Sequence, residues 1–206
     1  MVFGNHDEGP TLSRKDMLQY IATKPYSHTQ LGPSWIGGAG NYEVHVAGPD
    51  GAPVFRMYFL DTGVDGSVSP AQNEFLRDLA TAHRREDIPA VLFYHIPIPE
   101  YNLHWGEQLK HGHKGEDVCN GPQSGLLDTI VAMGDVKATF VGHDHLNDYC
   151  VERRGIHLCY GGGVGYGAAY GSATLPRSAR VIQWRRSESQ ETITTWKQAD
   201  GDSSKD

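Results

Sequence analysis

Thr139-Phe140-Val141-Gly142-His143-Asp144-His145 is the stretch on which the reading of this chain turns. Residues 138–141 form a short, mostly apolar run, the pattern of a strand buried on both faces. The run ends at a glycine and opens into two imidazoles around a carboxylate. Loops at the carboxyl ends of strands are where α/β sheets place their sites. If residues 143–145 are extended, alternation turns both imidazoles the same way. They can then serve one cation, or two cations a few ångströms apart.

Two more clusters lie upstream. His95 follows the apolar run Val91-Leu92-Phe93-Tyr94 and precedes Ile96-Pro97. Gly4-Asn5-His6-Asp7 has only three residues ahead of it, too few to build the strand that should carry it. Singly, a histidine after a strand is more often an ordinary hydrogen-bonded residue than a ligand. Three such clusters in this order point to a metal site, because imidazole nitrogens and an amide oxygen together suit a first-row divalent or trivalent ion.

The surrounding pattern is mixed. Residues 11–22 read as a helix capped by Thr11 or Ser13, and 70–84 as an amphipathic helix capped by Ser69. Residues 126–133 read as a third helix. Residues 42–46 and 54–60 read as strands joined by the turn Pro49-Asp50-Gly51. Residues 90–94 form a second buried run. Residues 25–40 and 96–121 read as loops. Strands are expected around 148–152, 156–160, 179–184 and 192–196, with a glycine-rich loop over 161–171. Helices interleaved with buried strands, then antiparallel strands, predict an α/β layered sandwich.

The chain has 206 residues, with 18 Lys and Arg against 25 Asp and Glu and a net charge of −7. That balance argues against a nucleic-acid partner, which needs a basic face, and against attachment to anionic lipid. No run approaches the roughly 18 apolar residues of a membrane span, and residues 1–7 lack a signal-peptide pattern. If Arg154-Gly155 is a two-residue hairpin turn, Cys150 lies opposite Cys159, at a pair where a disulfide is sterically possible. A bonded pair would favour an oxidising, secretory compartment and a reduced pair the cytosol. Cys119 reads as a lone loop thiol. His104, His111 and His113 read as a solvated polar loop. The glycine-rich run lacks the Lys-Ser/Thr ending of a phosphate loop.

Taken in order, Gly4-Asn5-His6-Asp7, Phe93-Tyr94-His95-Ile96-Pro97 and Gly142-His143-Asp144-His145 resemble the last three motifs of the calcineurin-like metallophosphoesterases. More narrowly, the chain resembles their single-domain purple-acid-phosphatase-like branch of plants and fungi. The narrower likeness rests on Phe59-Leu60-Asp61-Thr62-Gly63, Ile96-Pro97-Ile98-Pro99-Glu100-Tyr101, Gly134-Asp135-Val136-Lys137, Asn147-Asp148-Tyr149-Cys150 and Leu158-Cys159-Tyr160-Gly161-Gly162-Gly163. The resemblance implies a four-layer αββα sandwich holding two metal ions of the Fe, Zn or Mn kind, and a phosphorylated substrate. It assigns Asn5, His95 and His143 to the second metal and His145 to the first. It makes His6 the catalytic histidine.

The family pattern also has an aspartate early in the first strand, a Gly-Asp whose carboxylate bridges the metals, and further ligands that include a tyrosine. All of these precede the Asn-His motif, which here begins at residue 4; Asp135 stands in the wrong place to serve. The expectation is therefore a phosphoesterase domain over residues 1–200 that lacks its first strands and helices, followed by a polar tail at 201–206. Met1 is expected to be an internal methionine of a longer enzyme. Two cations about 3.5–4 Å apart need a shared anion, so at most one weakly held metal and little hydrolysis are expected. Loss of central strands would leave an apolar edge and face open. A non-catalytic binding relative is the alternative, and phosphodiester cleavage would use the same ligands.

Overall fold

The computed structural model describes residues 1–109, 111–166, 175–187 and 190–201. Eleven elements among the described residues are numbered here in chain order, apart from one short 3-10 turn at Pro99–Tyr101. Six strands form one mixed sheet in the order β1-β2-β3-β4-β6-β5. They are β1 (Tyr42–Ala47), β2 (Pro53–Phe59), β3 (Ala90–Phe93), β4 (Val136–Val141), β5 (Cys150–Arg153) and β6 (Ile156–Tyr160). β2, β3, β4 and β6 run parallel, and β1 and β5 are antiparallel edges.

Helix α1 (Arg14–Ala22) starts where Ser13 accepts from Asp16 N–H. Helix α2 (Pro70–His83) starts at a capping box in which Ser69 and Gln72 satisfy each other's backbone N–H. Helix α3 (Leu126–Met133) sits between Gly125 and Gly134, both left-handed. α2 and α3 cover one face of the sheet. Leu76, Leu126 and Ile130 there pack on Tyr58, Leu92 and Leu158.

The opposite face carries Phe55, Val91, Ala138, Phe140 and Cys159. It is covered by a separate antiparallel pair, β7 (Ser178–Arg186) and β8 (Glu191–Ala199), through Ile182, Trp184 and Ile193. The result is helix, sheet, sheet, in the manner of a metallophosphoesterase-like sandwich. Cover on this second face is partial. Tyr42, Phe59, Phe93 and Phe140 stack as neighbours across four strands, with ring centroids 4.6, 5.3 and 5.5 Å apart. Part of that aromatic row lines a cleft of about 410 Å³ beneath β7.

Most elements lie within a residue or two of their sequence-based bounds; β7 and β8 are longer. The β5–β6 turn is as expected: Arg154 and Gly155 both have positive φ, and Cys150 pairs with Cys159. Those cysteines are joined as a disulfide on the β7–β8 side of the sheet. Residues 167–171 of the expected glycine-rich loop, and 202–206 of the tail, lie outside the described residues. No helix among those described is long and apolar enough to cross a membrane.

Candidate metal centre

The loops that leave β3 and β4 lie side by side at the carboxyl end of the parallel strands. Gly142 N–H donates to His95 C=O at 3.1 Å, and Ile96 N–H donates to Thr62 Oγ1 at 3.2 Å. The Gly4–Asp7 segment folds over them as a tight turn, with Gly4 N–H donating to the Asp7 carboxylate at 2.6 Å. Three chain segments far apart in sequence therefore meet at one place.

Their side chains converge. Asn5 Oδ1 lies 3.0 Å from His95 Nε2 and 3.2 Å from His143 Nδ1. The two imidazoles meet edge to face, with centroids 5.3 Å apart. The approach depends on two glycines. A Cβ on Gly4 would lie 3.3 Å from His95 Cε1, and one on Gly142 would lie 3.1 Å from His95 Nδ1. Both motif glycines thus hold the His95 ring between them.

Burial lowers the His95 pKa to about 4, and the neighbouring His143 adds to the effect. The ring is then neutral over the ordinary pH range and has a lone pair to offer, the form a metal ligand requires. Burial also lowers His145, with His143 acting the same way and Glu116 opposing. His145 is within electrostatic reach of both other imidazoles. His6 is exposed on the same turn as Asn5. The extended geometry considered for residues 143–145 does not occur. His143 has φ 68°, so the chain bends there and strand alternation does not govern the two rings.

A second donor group shares His143. Ligand atoms of Cys119, His143 and Asp144 lie within 4.8 Å of one another. Asp144 is 5% exposed and accepts from Tyr160 O–H at 2.6 Å and Cys119 N–H at 3.3 Å. Burial and that carboxylate push the Tyr160 phenol far above its ordinary range.

Sequence reasoning missed the clamp beneath the centre. Arg14, 6% exposed, donates to Asp61 Oδ1 at 2.7 Å, to Gly4 C=O at 3.0 Å and to Gly63 C=O at 3.1 Å. It ties the Asn5 turn to the loop after β2. Asp61 also accepts from Ala39 and Gly63 N–H. Asp61 had a signal, since it follows an apolar strand; Arg14 had none. His104, His111 and His113 are exposed, as the solvated-loop reading expected.

Fold and site together define a phosphoesterase-like α/β sandwich with candidate metal donors at the ends of its parallel strands. Comparison with known proteins narrows this. The chain is 35% identical, over 97% of its length, to a protein named probable inactive purple acid phosphatase 28 from Arabidopsis thaliana. It is 34% identical, over 97%, to probable inactive purple acid phosphatase 14 from the same plant. To Phosphatase DCR2 of Saccharomyces cerevisiae it is 29% identical over 98%, covering 39% of that protein. No family model matches. Over nearly its whole length, then, the chain is similar to purple-acid-phosphatase-like phosphoesterases. It spans 59% of the length of each of these two plant relatives.

Proposed function

We propose that this chain contributes the Asn-His half of a metal-dependent phosphomonoesterase site. The observation that carries the reading is the convergence of His95 Nε2 and His143 Nδ1 on Asn5 Oδ1, from three separate loops. Donors that meet at such distances fit a cation: an amide oxygen and two imidazole nitrogens are all borderline ligands. Asn5, His95 and His143 would hold one ion, and His145 would serve a second. Two such ions, when bound, polarise phosphoryl oxygens and make a nucleophile from water at neutral pH.

The chain's own residues supply the remainder. Gly4 and Gly142 keep the His95 ring in place. Arg14 anchors the turn from which Asn5 reaches inward. His6 is exposed on that turn and would meet a phosphoryl group arriving from solvent. There it would stabilise the transferring group or give a proton to the departing alkoxide, as a positioned imidazole does in general acid catalysis.

An amide and two imidazoles offer no negative charge, so this half-site attracts a cation weakly. Two plant relatives named probable inactive support a second reading, a fold kept for binding with its chemistry reduced. Metal analysis with turnover of p-nitrophenyl phosphate separates the two. The expected result for the 206-residue chain is at most one weak equivalent at these donors and slow hydrolysis. A chain extended upstream should turn over well and lose most of its rate on His6→Ala. Equal rates with and without His6 would remove the catalytic assignment.

A further inference from the structure

The neutral character of the Asn5, His95 and His143 donors draws attention to the charged group beside them. We propose that Cys119, His143 and Asp144 form an alternative cation site, sharing His143 with the Asn5 centre and suited to a thiophilic divalent ion such as zinc. Their donor atoms lie within 4.8 Å of one another, so one ion can reach all three. The donor set is a sulfur, an imidazole nitrogen and a carboxylate oxygen, each an ordinary zinc ligand. Once the thiol proton has left to solvent, the set has two negative charges and a divalent ion neutralises it. Sulfur also changes the preference among metals, since thiolate favours zinc over magnesium or calcium.

The group is held by structure on both sides. Asp144 is oriented by Tyr160 O–H and Cys119 N–H, the sort of outer hydrogen bonds that fix ligand carboxylates. A carboxylate has about four lone-pair sites, so these bonds leave acceptor capacity for a cation. The loop that carries Cys119 is pinned to the segment after His145. Asn147 Oδ1 accepts from Gly115 N–H at 3.0 Å and Glu116 N–H at 3.1 Å, and Leu146 N–H donates to Glu116 at 2.7 Å. Farther along, Gly121 N–H donates to Pro97 C=O at 3.0 Å. Cys119 is exposed, which leaves its sulfur open to an ion from solvent.

The chain has three cysteines, and two are joined to each other. Any thiolate bound to a metal must therefore come from Cys119. The inference does not depend on phosphoester chemistry, and its test reads binding alone. The intact 206-residue protein is titrated with Zn²⁺ against a chromophoric chelator, and the bound ion is examined by X-ray absorption. The expected result is one equivalent with one sulfur neighbour at about 2.3 Å. Cys119→Ser should erase the sulfur and weaken zinc by more than about tenfold, a loss that removal of an outer partner alone can reach. His95→Ala should leave the sulfur in place. Circular dichroism checks that each variant is folded.

Zinc bound without sulfur, or bound equally by Cys119→Ser, overturns the proposal. If His95→Ala then weakens that zinc, the Asn5 centre stands while this site falls. No zinc binding at all overturns both.

Discussion

The two ends of the parallel strands are built on opposite plans. At the amino end, charges are collected and closed into a ring. Arg56, 1% exposed, bonds Glu43 at 2.9 Å and also Glu86, and His83 joins the same two carboxylates at 2.9 Å each. Nearby, Tyr58 O–H donates to Asp135 at 2.6 Å. At the carboxyl end, two imidazoles and an amide point at one another, with charge held back in the Arg14–Asp61 pair beneath them. Paired charges satisfy themselves and leave little for a ligand. Here Asn5 Oδ1 accepts from both rings, and uncharged groups paired in this way can give up those bonds for a cation more cheaply than a closed ion-pair ring can.

Each end can be broken separately. Arg14→Ala should have the largest effect, because it leaves Asp61, 3% exposed, as a buried charge without its partner. Loss of one member of a buried pair costs about 3–5 kcal/mol. Here it also frees the Gly4 turn, so urea unfolding and calorimetric Mn²⁺ or Zn²⁺ binding should both suffer. Arg56→Met should cost about 3 kcal/mol, the low end of that range, since Glu43 and Glu86 still reach solvent. Its metal binding should match the parent. A loss of metal affinity in Arg56→Met would mean that the two ends are not independent.

Acid should act on the carboxyl end through His95. The unfolded ring takes up a proton near pH 6.5, whereas the folded ring resists until about 4. Between those values the unfolded state binds more protons, so stability of the metal-free protein falls as pH falls. Chemical unfolding at a series of pH values should show this slope, and His95→Gln should flatten it. The smallest expected effect is that of Gly142→Ala. Its new Cβ presses on His95 Nδ1 and costs about 1 kcal/mol of strain. Metal affinity should drop more than stability does, which would separate a positioning role for this glycine from a folding one.

Some of this is legible in the amino-acid sequence. Helix α3 shows as an apolar run between two glycines, and the glycines cap it in the left-handed conformation. The Cys150–Cys159 register follows from the Arg154-Gly155 turn, because a two-residue loop sets every later pairing by counting. The three polar clusters follow apolar runs or stand in the order of the motifs they resemble, so the chain alone pointed to Asn5, His95 and His143, which the fold brings together. Bend geometry at His143 is not legible, since nothing local requires a positive φ there.

By itself, the amino-acid sequence determined what depends on neighbours along the chain: helix caps, hairpin register, strand runs and the residue types that end them. Tertiary structure alone decided which distant groups share a space. Arg14 finds Asp61 across 47 positions, and Cys119 N–H finds Asp144 across 25. The reason is that such meetings arise from how the loops and sheets pack against one another, and no periodicity or local pairing rule within a segment records them.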